Sequence, residues 1–226
     1  ICVFAPRHFF MNNHRKVDFM NLSEVINLAY QTATGKTKTL SPGNSKYERM
    51  LNIANMANMQ WESEPDVIWG SLCEDREIGV IDDKTSYKLP EDVRTVDFRK
   101  FITLKKDGRT WAIPFISPQL FKNGCYGALQ LGWKIDFNGL SKDMQGAEII
   151  VPVIRHTKKL VEPEDKVEID DPYWLVYMIA AEFVRNSRTK SNQYGNLVTL
   201  AQSSMEGMKN RNGYKFDEVI REDIWL

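Results

Sequence analysis

The chain has 226 residues, 42% hydrophobic and 11% aromatic, with 30 Lys and Arg balanced by 30 Asp and Glu. That apolar and aromatic content excludes whole-chain disorder, and zero formal charge argues against a dedicated nucleic-acid binder, whose affinity comes from a cationic excess. No apolar run approaches the eighteen or so residues of a membrane span. Cys2, Cys73 and Cys125 have neither metal-site spacing nor the even count of a disulfide framework, so reduced thiols in a cytoplasmic setting are expected.

Met20 opens MNLSEVINLAY, which reads like a natural protein start, so residues 1–19 are expected to be a processed or upstream segment, and the domain reading sets 1–20 apart as an N-terminal extension. A first helix is predicted at about 22–32, where Asn21 and Glu24 make a capping box and Leu22, Val25, Ile26, Leu28 and Ala29 form one apolar stripe. Gly35 ends it. A second helix, about 46–62, is expected to be capped by Ser45 with Glu48 answering three residues on. Its Tyr47, Met50, Leu51, Ala54, Ala57 and Trp61 recur at helical spacing, and Pro65 bars continuation. Two capped helices joined by a short polar loop are expected to pair as an antiparallel hairpin.

From about 67 the period shortens. SLCEDREIGVI, a DDK turn and SYKLP read as one hairpin; FITL, the turn Lys106-Asp107-Gly108 and WAIPF read as a second. Ser117 to Lys122 suits a short helical turn, and single strands are expected at 127–137 and 147–155. Pro114 and Pro152 lack ladder donors, which assigns their strands to edges or bulges. Helix returns at about 172–187, with Asp171 as N-cap and Pro172 at the first position. Its PYWLVYMIAAEFV is apolar almost all round, the mark of a buried helix. A last helix is predicted at about 192–209.

Sequential strands between helices give the α+β class. The domain reading is a helical bundle from 21–66 and 170–212, an inserted antiparallel β block of hairpins at 67–169, and a tail at 213–226.

The chemical motifs each have a local explanation. Gly35-Lys36-Thr37 resembles the end of a phosphate-binding loop, but position 30 is Tyr and the triplet closes a helix instead of opening one. His8, His14 and His156 are not clustered as metal ligands. Asp82-Asp83 suits a turn and Asp170-Asp171 a helix start. No catalytic, metal or cofactor residue is therefore expected. A carboxylate hydrolase would need Glu74, Asp75, Glu77 or Asp97 to converge in a cleft. Arg185, Arg188, Lys190, Lys209 and Arg211 flank the last two helices; complementing helix C-termini is the simpler role, and facing DNA or an acidic partner the functional one. Phe216, Val219, Ile220, Ile224, Trp225 and Leu226 make an apolar tail that either folds back or docks on another subunit.

Several phrases carry a resemblance: SEVINLAYQTATG, MANMQW, YKLPEDVRTV, GWKIDF, QGAEIIVPVIRHTKKL and DDPYWLVYMIAAEFV. Their order over about residues 20–212 resembles the head-to-tail adaptors (head completion, or tail tubular A-like, connectors) of tailed bacteriophages. The resemblance implies a non-catalytic virion protein of the neck, assembled in the host cytoplasm into a ring of about twelve subunits. Such a ring would bind the portal protein through the tail and a tail or nozzle protein through the β block. Double-stranded DNA would pass its lumen without sequence-specific contact. The alternatives are another neck or tail component, such as a terminator or baseplate piece, or the hydrolase above.

Overall fold

The computed structural model describes residues 20–65 and 67–214. The chain runs α1 (Leu22–Thr34), α2 (Ser45–Glu62), β1 (Ile68–Trp69), β2 (Cys73–Val80), β3 (Ser86–Lys88) and β4 (Val93–Val96). It continues through β5 (Ile102–Lys106), β6 (Arg109–Ile113), α3 (Pro118–Lys122), β7 (Gly127–Leu131), β8 (Lys134–Asn138) and β9 (Glu148–Arg155). It closes with α4 (Pro172–Val184), α5 (Ser191–Asn212) and β10 (Gly213–Tyr214). The class is α+β, four long helices and an antiparallel β block.

Helix starts follow from short polar side chains. Asn21 accepts from the Glu24 N–H at 2.9 Å while the Glu24 carboxylate accepts from the Asn21 N–H at 2.8 Å, which completes the expected capping box. The α2 cap is Asn44, one residue before the expected Ser45. Its Oδ1 accepts from the Lys46 N–H at 2.9 Å, and Glu48 reaches back to the Gly43 N–H at 3.0 Å. Asn caps as well as Ser, and the Pro42-Gly43 turn delivers Asn44 in extended conformation. Asp171 caps α4 as expected, accepting from Tyr173 N–H at 3.1 Å. This helix ends at Val184, short of the expected 187, and a 3-10 turn at Arg188–Lys190 leads into α5.

Helix α4 is the hub of the bundle. Trp174, Leu175, Val176, Ile179, Ala180, Ala181 and Val184 are all buried on it, and α1, α2 and α5 each pack against it. The expected α1–α2 hairpin is not the main pairing. Each of those helices has a single apolar stripe, and both stripes turn to the one helix that is apolar all round. Burial of each large aliphatic side chain contributes about 1.5–3 kcal/mol.

The β block departs from a chain of sequential hairpins. The expected pairing of 73–80 with 86–88 does not form: β2 pairs with β9, and β3 pairs with β8. The 127–137 stretch is two strands. It turns back at Gly132-Trp133, and β7 and β8 pair from Gly127 opposite Asn138 to Leu131 opposite Lys134. The β5–β6 hairpin forms as expected around Asp107-Gly108, both at positive φ (48° and 74°), the backbone a two-residue primed turn requires. The main sheet has the order β2-β9-β5-β6, with β4 also on β9.

Strand β9 is central, so Pro152 is not on an edge. The Pro152 carbonyl accepts from Asp97 N–H at 2.9 Å, and an extended residue points its N and C=O the same way. The missing donor therefore falls where the neighbour of β9 changes from β5 (up to Ile150) to β4 (from Val153), a gap in the ladder that tolerates proline. Pro114 lies just past β6, at the sheet edge, as expected.

Two cores result. One is built from the four helices together with Ile68, Trp69, Leu72, Ile154, Leu160, Val167 and Ile169. The other lies between the sheets, with Val93, Ile102, Leu104, Ile113, Ile135, Ile149, Val151 and Val153 fully or almost fully buried. Strand β10 pairs with β1, so the end of α5 is fastened where the chain leaves α2 for the β block.

Candidate interaction surfaces

A polar ridge on α2 fixes the segment that follows β9. Asn55, Asn58 and Glu62 lie at i, i+3 and i+7, hence on one helix face. Asn55 accepts from Leu160 N–H and donates to Leu160 C=O, both at 2.9 Å, and Asn58 donates to Lys158 C=O at 3.1 Å. The Glu62 carboxylate accepts from Thr157 N–H and Oγ1 at 2.9 Å each and lies 2.5 Å from His156 Nδ1. Burial pushes the Glu62 carboxyl up, but the Thr157 and His156 hydrogen bonds outweigh it and hold the group below its ordinary value. The α2 terminus is also satisfied from the β side: Arg94 Nη1 donates to Glu62 C=O at 2.6 Å and Trp69 Nε1 to Trp61 C=O at 2.7 Å.

Beside that ridge runs an open groove of about 900 Å³ between α2, residues 156–159 and the last turns of α4. Ile53, Ala57 and Met178 line it, with Glu182 and Arg185 at one side. Met56 and Met59 stand on its wall, 72% and 68% exposed. Methionine is suited to such surfaces because its thioether is polarizable and its chain adapts to different partners.

The β block presents a second apolar surface. Phe98 and Phe101 are 57% and 59% exposed, and Phe98 meets Phe115 edge-on at 5.1 Å. Asp97 builds the turn that displays them. Its buried carboxylate accepts from Arg99 Nε at 2.7 Å, Arg99 Nη2 at 2.8 Å and Arg99 N–H at 3.2 Å. Burial raises the Asp97 carboxyl, and the Arg99 guanidinium more than offsets this and holds it below the usual range. Leu131 and Trp133, each 53% exposed, flank Gly132 at the tip of the β7–β8 hairpin, and Leu89 N–H donates to Trp133 C=O at 2.9 Å.

The four carboxylates a hydrolase would need do not meet in one cleft. Asp97 is committed to Arg99, and Glu74 to Arg76 and to Arg155 at 3.5 Å. Asp75 and Glu77 are exposed on β2, alternating with Glu74 and Arg76 and therefore on the other face of the strand. Among the described residues no group of three or more His, Cys, Asp or Glu could hold a metal ion. Cys73 is free and partly buried, its thiol facing Trp69 C=O at 3.4 Å; Cys125 is free as well.

The basic residues separate into two places. Arg185, Arg188 and Lys190 lie at the junction of α4 and α5, where Lys190 Nζ donates to Ala33 C=O at the end of α1 (2.6 Å) and Arg185 pairs with Glu182 at 3.2 Å. Lys209 lies at the far end of α5, paired with Glu64, and Arg211 is exposed two residues on. The helix-end placement thus holds for Lys190, at the end of α1, and for Lys209 and Arg211, in the last turn of α5. Phe216, Val219, Ile220, Ile224, Trp225 and Leu226 lie outside the described residues. Sequence reading missed the Asn55-Asn58-Glu62 ridge; the only available signal was polar residues recurring at helical spacing beside an apolar stripe. No helix of the described residues is long and apolar enough to cross a membrane. No family model matches the chain, and no curated protein matches it.

Proposed function

We propose that this chain is a virion assembly protein, an adaptor subunit that closes into a ring between the portal vertex and the tail of a tailed phage and surrounds the passing DNA. The observation that carries the reading is the presence of two unlike exposed apolar surfaces on the two modules: Met56 and Met59 beside the α2 groove, and Phe98 and Phe101 on the β block. A ring subunit needs a face that seats against its neighbour, and a neck component needs a further, different face for its partner. Exposed aromatic and methionine side chains are the residues enriched where protein interfaces form. The chain order of phrases such as MANMQW and DDPYWLVYMIAAEFV supports the same reading. In it, the helical bundle forms the ring and faces the portal, and the β block meets the tail or nozzle protein.

The test is to image the purified chain by negative-stain electron microscopy, alone and mixed with portal rings. A ring that stacks coaxially on the portal is expected. A chain that remains monomeric in both samples overturns the proposal.

A further inference from the structure

The zero net charge of the chain conceals a concentrated cationic end of the helical bundle. The contacts of Lys190 and Gln193 with the last carbonyls of α1, and of Arg49 with Phe183 C=O, bring four helix ends together: the end of α1, the start of α2, the end of α4 and the start of α5. The α1–α2 loop adds Lys36 and Lys38, and α2 adds Lys46 and Arg49; Arg185, Arg188 and Lys190 complete the set. Only two carboxylates, Glu48 and Glu182, belong to these segments. The balancing acids sit elsewhere, notably in residues 162–171, at the opposite end, where the first N–H groups of α1 bond to Pro163 and Asp165 carbonyls.

Part of this charge is structural. Lys190 caps α1, Arg49 reaches the Phe183 carbonyl and lies 5.0 Å from its ring centre, and Lys46 lies over the Tyr30 ring. Burial raises the Tyr30 hydroxyl, yet Lys46 and Lys36 bring it below its ordinary value, a local sign of positive potential. Lys36, Lys38 and Arg188 remain, all exposed and without an ion pair to any described residue. Exposed Thr37 and Thr39 alternate with the loop lysines, exposed Ser41 follows, and all three offer hydroxyl donors.

We propose that this end of the bundle binds the phosphate backbone of double-stranded DNA without reading its sequence, through Lys36, Lys38 and Arg188 with hydroxyls from the same loop. Two features favour DNA over an acidic protein. Among the described residues no exposed large apolar side chain belongs to the α1–α2 loop or to the α4–α5 junction at 186–190, and Met56 and Met59 stand in the α2 groove beyond Arg185, so the surface around Lys36, Lys38 and Arg188 lacks the aromatic or aliphatic anchors that dominate protein interfaces. Lysine, arginine, serine and threonine side chains are what protein–DNA backbone contacts use. The inference stands on this surface and does not need the ring.

The experiment measures fluorescence anisotropy of a labelled random-sequence duplex against sodium chloride, for the native chain, K36Q/K38Q/R188Q, and a control triple K88Q/K122Q/K142Q that removes equal charge from the β block. Native chain and control are expected to bind alike. The site triple should lose at least about tenfold at low salt, with a salt slope shallower by about 2 to 3, at roughly 0.9 for each phosphate that is no longer neutralised. The single variants K38Q and R188Q should each show part of the effect, so a folding defect of the triple cannot mimic it. Equal loss in both triples, or no duplex binding by the native chain at low salt, overturns the proposal. So does loss of polyglutamate binding by the site triple with duplex binding intact, which would assign the surface to an acidic protein.

Discussion

Trp61 stacks on Trp69 with ring centres 4.7 Å apart and planes 18° from parallel, and the two indoles differ in what their N–H groups meet. Trp69 Nε1 donates to Trp61 C=O at 2.7 Å, whereas the buried Trp61 Nε1 has no partner among the described residues. Both side chains are at most 1% exposed, so replacement by Phe removes similar packing. Trp69→Phe additionally strips a donor from the α2 terminus, while Trp61→Phe removes an unsatisfied one. Urea unfolding followed by circular dichroism should find Trp69→Phe the more destabilising, by about 1–2 kcal/mol. Equal losses would show that the stack alone governs this junction.

Glu62 gives the fold an acid-sensitive fastening. Its folded-state carboxyl lies below its ordinary value of 4.5 because Thr157 and His156 bonds to the charged form outweigh the cost of burial. A depressed carboxyl contributes stability that is complete above the unfolded value and is lost as pH falls through the folded one. Melting temperature should therefore fall less between about pH 5 and pH 3 in Glu62→Gln than in the native chain, with the variant less stable at neutral pH and the two curves converging in acid. Parallel curves across that range would remove Glu62 from the acid response.

The helices are legible in the sequence because their signals are local. Asn21 with Glu24, Asp171 with Pro172, and the apolar run of α4 each act within a few residues, and all three appear as expected. The sheet order is not, because it depends on β9, a strand from late in the chain that takes β2, β4 and β5 as partners and leaves β3 to pair with β8 in the other sheet. Gly132 reads as part of a continuous strand since flanking Leu131 and Trp133 are apolar; both are in fact exposed at a hairpin tip. The α2 groove is illegible for a related reason. Asn55 and Asn58 acquire meaning only when residues 158–160, about a hundred positions later, are laid along them.

Gly127 and Gly124 differ in both backbone conformation and the space around a side chain. Both have positive φ, 153° and 80°. A Cβ on Gly124 would meet open space, whereas one on Gly127 would lie 2.7 Å from Ile116 Cγ2 and 2.9 Å from the Pro114 carbonyl oxygen. The Pro114 oxygen cannot retreat freely, since it accepts from Ala128 N–H at 2.9 Å in the bridge between the two sheets. Gly124→Ala should cost about 1 kcal/mol, the usual penalty for a side chain in this conformation. Gly127→Ala should cost at least about 2 kcal/mol more, within the range of overpacked cores, read from thermal or urea unfolding. Similar costs at the two sites would mean the loop at 114–116 yields.

Met56 and Met59 provide the sharpest division between folding and assembly. At 72% and 68% exposed they contribute little to the core, so charged substitutions there should leave stability within about 0.5 kcal/mol of the native chain. If the groove beside them is a subunit contact, Met56→Lys with Met59→Lys places two solvated charges in a desolvated interface and should abolish ring formation. Analytical ultracentrifugation then reads a monomer with an unchanged melting temperature. A pair of substitutions at Phe98 and Phe101 should instead leave the ring intact and weaken attachment of the tail component, because that surface belongs to the β block. Loss of ring formation in the Phe98 and Phe101 variant with the Met variant unaffected would reverse the assignment of the two faces.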